Sequence, residues 1–210
     1  MQRWVHVDRS VESRSGDLRI VAVADTHSKI HSDGISRISA LKPDCILHGG
    51  DIGDLRVLDE LAEVAPVLAV RGNIDGLEMP DSMAIDVLDE GRRALRVLLL
   101  HIALAGPRVR ADARKLAKKL DADLIVCGHS HVPFAGRDRG ITVFNPGSIG
   151  PRRFTLPIIF GELTVSRARV DVRHVDCETG LKWMPPGRIS APGANETEPS
   201  RDDDEPRRTR

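Results

Sequence analysis

The chain has 210 residues with 31 basic and 31 acidic side chains, so its formal net charge at pH 7 is zero. This balance gives no general attraction to nucleic acids or membrane surfaces. Aromatic residues make up only 3% of the chain, with no tyrosine, which argues against the base-stacking surfaces of single-strand nucleic-acid binders. No run approaches 18 apolar residues, and the first residues lack an apolar signal segment. We therefore expect a soluble cytoplasmic protein.

Changes in composition divide the chain into three parts. Residues 1–17 are polar and without periodicity, and we treat them as an N-terminal extension with no assigned element. Residues 18–183 contain the apolar runs of one folded domain. Residues 184–210 are rich in proline and charged residues and cannot bury enough apolar surface to fold, which predicts a disordered tail.

The first two predicted strands each end in residues with metal-ligating side chains. Residues 18–24 form an apolar run that stops at Asp25 and His27, and residues 44–48 form a second run followed by two glycines and Asp51. Apolar residues at helical spacing between the runs predict the crossover helix of a βαβ unit. A carboxylate and an imidazole two residues apart can hold one cation together, and the glycines allow Asp51 to approach it.

The same arrangement recurs at three later strands. Residues 67–70 precede Asn73, residues 93–100 precede His101, and residues 124–127 precede His129 and His131. Extended backbone directs the last two histidines to the same side, so both can reach one cation or two neighbouring cations. Each motif alone is also compatible with a polar turn. Because ligands of α/β proteins lie beyond the carboxyl ends of strands, five such ends together indicate one site.

The remaining patterns predict more strands and two more helices. Helices are expected at residues 54–62 and 112–120, and strands at residues 83–87, 141–144, 157–164 and 168–174. No helical pattern separates the last two strands, so the end of the sheet should be antiparallel.

These motifs, in this order, resemble those of the calcineurin-like metallophosphoesterase superfamily, and most of all the bacterial YfcE-type phosphodiesterases. The resemblance extends from about Leu18 to His174. It implies an α/β (α+β) fold, a four-layer αββα sandwich in which helices flank two mixed β-sheets. It also implies two metal ions, with Asp51 bridging them. The first would be held by Asp25, His27, Asp51 and His131, and the second by Asp51, Asn73, His101 and His129.

The implied activity is hydrolysis of a phosphate ester, foremost a phosphodiester, by attack of a metal-bound hydroxide. Carboxylate, amide and imidazole ligands suit Mn²⁺, with Fe, Zn²⁺ or Ni²⁺ as alternatives. The candidate catalytic residues are Asp51, Asn73 and His101. Asn73 and Arg152 are the candidate contacts to a small phosphate ester or nucleotide. Arg153 offers the same guanidinium, and both arginines are equally compatible with a plain surface position.

Two positions depart from the family pattern. Many members have a histidine directly after Gly-Asn, which resembles the general acid for the leaving group, whereas this chain has Ile74. A missing positioned acid costs about 10²–10⁴-fold, so activated phosphodiesters should suffer least. The His-Gly-His of the YfcE-type group reads His101-Ile102-Ala103 here. The expected ligand is retained, but its neighbour is not.

A second function class is a protein-binding scaffold on the same fold, like the retromer subunit that resembles this family. That subunit has lost metal ligands, whereas all seven positions are intact here. A DNA nuclease of the same superfamily is not supported, because the sequence shows no stripe of basic residues. Exposed apolar strands could pair two copies into a homodimer. His48, before the two glycines, is either a partner of the site or a packed strand histidine, and packing is the favoured interpretation.

Overall fold

Two six-stranded β-sheets form the centre of the molecule. The computed structural model describes residues 4–12, 17–153, 155–166 and 169–184. Strands are numbered in chain order. Sheet I contains β1 (His6–Glu12), β5 (Ser82–Asp89), β6 (Arg92–Leu100), β9 (Leu124–Val126), β10 (Phe134–Asp138) and β11 (Ile141–Asn145). Sheet II contains β2 (Leu18–Val23), β3 (Cys45–His48), β4 (Val67–Ala69), β12 (Ile159–Ser166), β13 (Arg169–Asp176) and β14 (Lys182–Trp183).

Both sheets mix parallel and antiparallel pairs. Sheet I has the order β1-β5-β6-β9-β11-β10, and sheet II the order β14-β13-β12-β2-β3-β4. In sheet II, β2 pairs with β3 and β3 with β4 in parallel. In sheet I, β9 is parallel to both β6 and β11. A small antiparallel hairpin is formed by β7 (Leu104–Ala105) and β8 (Arg108–Val109).

The helices cover the outer faces of the sheets. They are α1 (Gly34–Leu41), α2 (Arg56–Ala62) and α3 (Ala111–Lys119). Helix α1 ends at Lys42, which adopts a left-handed conformation with φ of 51°, and the following Pro43 cannot continue a helix. None of the helices in the described ranges is long and apolar enough to span a membrane.

Alternation along the strands separates the core into layers. In β2, Ile20 packs between the sheets against residues such as Ile85, whereas Val21 packs on the outer face with Ile38 and Leu61 of the two covering helices. On the other side, α3 packs against the outer face of sheet I. The order of layers is therefore helices, sheet II, sheet I and helix. The predicted α/β four-layer αββα sandwich is confirmed.

The described residues also show where the predicted elements differ from the structure. The closing strands β12 and β13 are antiparallel, as expected. Residues 6–12, to which no element was assigned, form strand β1 parallel to β5. Its side chains lie at a solvent-exposed edge, which explains the absence of an apolar period. Strand β10 was also not predicted. The predicted disordered tail lies outside the described residues, apart from Met184.

Candidate metal centre

The five ligand-bearing turns all follow parallel strands. Strands β2, β3 and β4 of sheet II run in parallel, as do β6 and β9 of sheet I. Their carboxyl ends therefore meet at one end of the sandwich. The turn after each strand carries part of the predicted set, and the structure brings all of these turns into one site.

Two clusters of potential ligands lie side by side at this end. Asp25, His27 and His131 form the first triad, and Asp51, His101 and His129 form the second. Within each triad the candidate ligand atoms lie within 4.8 Å of one another. In the first, the Nε2 atoms of His27 and His131 are 3.2 Å apart and their rings are stacked. The two triads have the same division of residues as the expected ligand sets.

The carboxylate of Asp51, a member of the second triad, also faces the first triad. Its Oδ1 is 3.3 Å from Nε2 of His101, and its Oδ2 is 3.8 Å from Nε2 of His27. Asn73 belongs to the second side, because its Oδ1 is 3.0 Å from Nε2 of His101. The backbone N–H of Asn73 donates to Asp51 Oδ1 at 2.5 Å, and that of Ile74 at 3.3 Å. These contacts fix the carboxylate in its central position.

The backbone is strained where these residues lie. Five of the seven candidate ligands have a left-handed conformation: Asp25 with φ of 55°, His27 with 45°, Asp51 with 55°, His129 with 73° and His131 with 57°. Non-glycine residues rarely adopt positive φ, and such strain is concentrated at functional sites. All five lie in the turns that follow β2, β3 and β9.

Glycines permit the close approach of the turns. A Cβ atom at Gly72 would lie 2.2 Å from the backbone nitrogen of Asp51, and one at Gly50 would lie 2.7 Å from the nitrogen of Gly72. Gly50 also has a positive φ of 90°. No other residue type fits these two positions without moving the backbone that holds Asp51.

The protonation states of the side chains at the site suit the binding of metal ions. Burial lowers the pKa of His27 and of His129, and lowers the pKa of His131 to about 4. These imidazoles are therefore neutral at pH 7 and offer a lone pair each. Burial also raises the pKa of Asp25 to about 7. For Asp51, hydrogen bonds from His101 and from backbone N–H groups outweigh the effect of burial and hold the pKa well below its usual range.

His101 is oriented by the backbone. Its Nδ1 lies 2.8 Å from the carbonyl oxygen of Gly49, which accepts a hydrogen bond from it, so Nε2 faces Asp51 and Asn73. Burial by itself would lower the pKa of His101. The hydrogen bonds to Asp51 and Gly49 outweigh this effect, and the pKa lies above its ordinary value. The carboxylate and imidazole groups of each triad are of the type that holds a divalent metal ion.

Comparisons with known proteins agree with this geometry. Residues 18–168 match the model of the calcineurin-like phosphoesterase superfamily domain. The chain belongs to this superfamily. A probable metallophosphoesterase of Methanocaldococcus jannaschii is 32% identical over 142 residues, covering 63% of this chain and 69% of that protein. Phosphodiesterase YfcE of Escherichia coli is 32% identical over 113 residues, covering 51% of this chain and 58% of YfcE.

A solved structure shares the fold. Vacuolar Protein Sorting 29 of Cryptosporidium parvum superimposes with a TM-score of 0.67 at 16% identity, over 80% of this chain and 95% of that one. At this identity the likeness concerns the fold alone. The predicted relationship to the superfamily is thus confirmed, and the individual roles of the site residues stay predictions.

The arginines after the Asn-Pro-Gly-Ser turn differ in position. Arg152 pairs with Glu178 and donates to the carbonyl oxygen of Leu156 at 3.0 Å, so its guanidinium is engaged at the surface. Arg153 instead has Nη2 at 3.4 Å from Nε2 of His27. Of the two guanidiniums considered from the sequence, the structure brings that of Arg153 to the site. Arg152 is held away from the site by its pairing with Glu178.

Asp75 is a supporting residue that the sequence reasoning left without a role. Its carboxylate accepts hydrogen bonds from the backbone N–H groups of Ile52, Gly53 and Gly72, at distances from 2.7 to 3.2 Å. It therefore joins the turn that carries Asp51 to the turn that carries Asn73. The available signal was its place three residues after Gly72, a position from which an Asp side chain commonly binds its own turn.

His48 is packed in its strand, as favoured from the sequence, and it also joins two site turns. It is fully buried; its Nδ1 accepts from the N–H of Gly50 at 3.1 Å, and its Nε2 lies 3.1 Å from Thr26 Oγ1. Because Nδ1 accepts, the neutral ring carries its proton on Nε2 and donates to Thr26. That hydroxyl donates in turn to the carbonyl oxygen of Ile52.

We expect His48→Leu to lower the free energy of unfolding by about 1–3 kcal/mol for each buried group left unpaired. The loss should depend on pH, since burial lowers the pKa of His48 from 6.5 to about 3. Between these values the unfolded chain binds more protons than the folded one, so acidification favours unfolding of the wild type by up to about 1.4 kcal/mol per pH unit from this residue. Urea unfolding of the metal-free proteins should show a difference that is largest near pH 7 and shrinks towards pH 4. A difference independent of pH would contradict this account.

Proposed function

We propose that this metallophosphoesterase is a dinuclear metal-dependent phosphodiesterase. The observation that carries the proposal is the position of Asp51, whose two carboxylate oxygens face His101 of one triad and His27 of the other. When bound, two divalent cations would polarise a phosphoryl oxygen, neutralise developing charge and activate water near neutral pH. We expect Mn²⁺, with Fe, Zn²⁺ or Ni²⁺ as alternatives.

Different residues would bind the metal ions and contact the phosphate. Asp51 would hold both cations at a fixed separation, and Asn73 and His101 would orient the second one. Asn73 would also contact the substrate. Arg153, at the outer edge of the first triad, can donate to a phosphate oxygen with its guanidinium. The mutual positions of these groups are set by backbone contacts and require little reorganisation on substrate binding.

Leaving-group chemistry restricts the substrate. Position 74 carries an exposed isoleucine, and because its side chain has no ionisable group, it supplies no proton to a departing alkoxide. The chain should therefore favour phosphodiesters with acidic leaving groups, because these depart without protonation.

The test is hydrolysis of bis-p-nitrophenyl phosphate by chelator-stripped protein. We expect no turnover without metal, and turnover restored by Mn²⁺ more than by Mg²⁺. Failure of every metal to restore turnover, despite bound metal, would contradict the phosphodiesterase proposal.

That negative outcome would favour a protein-binding scaffold. The fold likeness to Vacuolar Protein Sorting 29 and the absence of both neighbouring histidines, at Ile74 and Ala103, support this second candidate. The complete set of seven ligand-type residues favours the enzyme. Cytoplasmic location and homodimer formation stay predictions.

A further inference from the structure

A cavity of about 370 Å³ opens beside the second triad. Asn73 and His101 form one wall, and the exposed indole of Trp4 lies on the rim. The volume is within the range of small-molecule sites. Because two of the predicted second-metal ligands line it, a group attached to a phosphate at the metal centre can extend directly into this space.

Trp4 is held in place at the rim by the start of β5. Its indole Nε1 donates to Ser82 Oγ at 3.0 Å. The N–H of the next residue, Val5, donates to Asp81 Oδ2 at 2.6 Å, and the carbonyl oxygen of Val5 accepts from the N–H of Asp81 at 2.8 Å. Trp4 is nevertheless 59% exposed. Among the described residues it is the one exposed aromatic side chain of this aromatic-poor chain.

The same contacts connect Trp4 to the metal centre. Asp81 Oδ1 accepts from Nε of Arg71 at 2.7 Å, and Arg71 directly precedes the Gly-Asn turn. The unpredicted N-terminal segment is therefore fixed relative to Asn73. An exposed indole that is already held by a hydrogen bond loses less conformational freedom when a ligand stacks on its face.

The charges of the cavity balance. Arg71 is paired with Asp81, and Arg110, which also lines the cavity, lies 3.3 Å from Asp112. Two cations and two carboxylates give no preference for an additional anion. They do provide hydrogen-bond donors and acceptors around an aromatic surface, which suits a neutral, flat group with polar edges.

We infer that this cavity binds the nucleobase of a nucleotide phosphodiester, with the base stacked on Trp4. The inference rests on the proposed phosphodiesterase function and specifies its substrate class. A flat heterocycle can stack on Trp4 and form hydrogen bonds with the polar lining of the cavity, while its phosphate lies at the metal centre. An alkyl ester can bind at the metal centre but has no group that fills the cavity.

The kinetic test compares two esters with the same leaving group, thymidine 5′-(p-nitrophenyl phosphate) and methyl p-nitrophenyl phosphate. We expect Trp4→Ala to raise KM for the thymidine ester about tenfold or more, the size of one base–aromatic stack, and to leave the methyl ester unchanged. Trp4→Phe should restore most of the affinity. Equal effects on both esters, or none on either, would overturn the inference while leaving the phosphodiesterase intact.

A binding test separates the inference from the proposed activity. The chain has two tryptophans, so Trp183→Phe leaves Trp4 as the one indole fluorophore. In this variant loaded with Mg²⁺, thymidine monophosphate should quench the fluorescence at concentrations at which ribose 5-phosphate does not. Equal responses to both compounds, or no response to either, would refute base binding at Trp4, whether or not the protein hydrolyses esters.

Discussion

Replacement of Asp51 by asparagine is expected to lower metal-dependent phosphodiester hydrolysis by at least about 10³-fold. The amide has no negative charge and can offer only one oxygen, whereas the carboxylate faces His27 at 3.8 Å and His101 at 3.3 Å. A bridging contribution of several kcal/mol to transition-state stabilisation corresponds to a loss of this size. The measurement is kcat/KM for bis-p-nitrophenyl phosphate with saturating Mn²⁺, together with metal content.

The matched control is Asp54→Asn. Asp54 lies three residues further along and its carboxylate binds Arg56 instead of either triad. It should keep wild-type turnover and wild-type metal content. If Asp51→Asn retained more than about a tenth of the activity while folded, the central position of its carboxylate would have no catalytic meaning.

Replacement of Ile74 by histidine is expected to accelerate hydrolysis of an alkyl phosphodiester by about 10²-fold, the lower end of the gain from a positioned general acid. The side chain at this position is exposed, and the backbone N–H of Ile74 already contacts Asp51 at 3.3 Å, so an imidazole can be accommodated next to the metal centre. An ester of p-nitrophenol should change little, because its leaving group departs without a proton. Rates of both esters at several pH values measure the effect.

Ile74→Gln provides the comparison for the histidine variant, since it adds a polar side chain that cannot transfer a proton near neutral pH. It should leave both rates within a few-fold of wild type. Equal acceleration of the alkyl and p-nitrophenyl esters by Ile74→His would show that the histidine acts through substrate binding. The missing general acid at position 74 would then not explain a preference for acidic leaving groups.

The buried strands and the location of the site were predictable because both depend on local patterns. Alternate residues in β2 pack on opposite faces of the sheet, as seen for Ile20 and Val21, so apolar runs of strand length identified the buried strands. The polar residues directly after those runs identified the site, because carboxyl ends of parallel strands meet at one edge. Family resemblance supplied the pairing of two sheets, which periodicity alone does not specify.

The features that escaped prediction depend on contacts between distant segments. Strand β1 is defined by pairing with β5, some 76 residues away in sequence, and its edge position leaves no apolar period. The position of the exposed Trp4 beside the cavity depends on its hydrogen bond to Ser82, which is distant in sequence. The difference between Arg152 and Arg153 is likewise set by Glu178, a partner far along the chain. Such contacts have no local signature.

The most direct test of the central claim is the number of Mn²⁺ ions bound when turnover appears. Stripped protein would be titrated with Mn²⁺ by calorimetry while hydrolysis of bis-p-nitrophenyl phosphate is followed in parallel samples. The geometry predicts two ions per chain, with turnover that follows occupancy of the second site, and no turnover for Asp51→Asn. Saturation at a single ion with full activity, or two bound ions without any activity, would contradict a dinuclear phosphodiesterase.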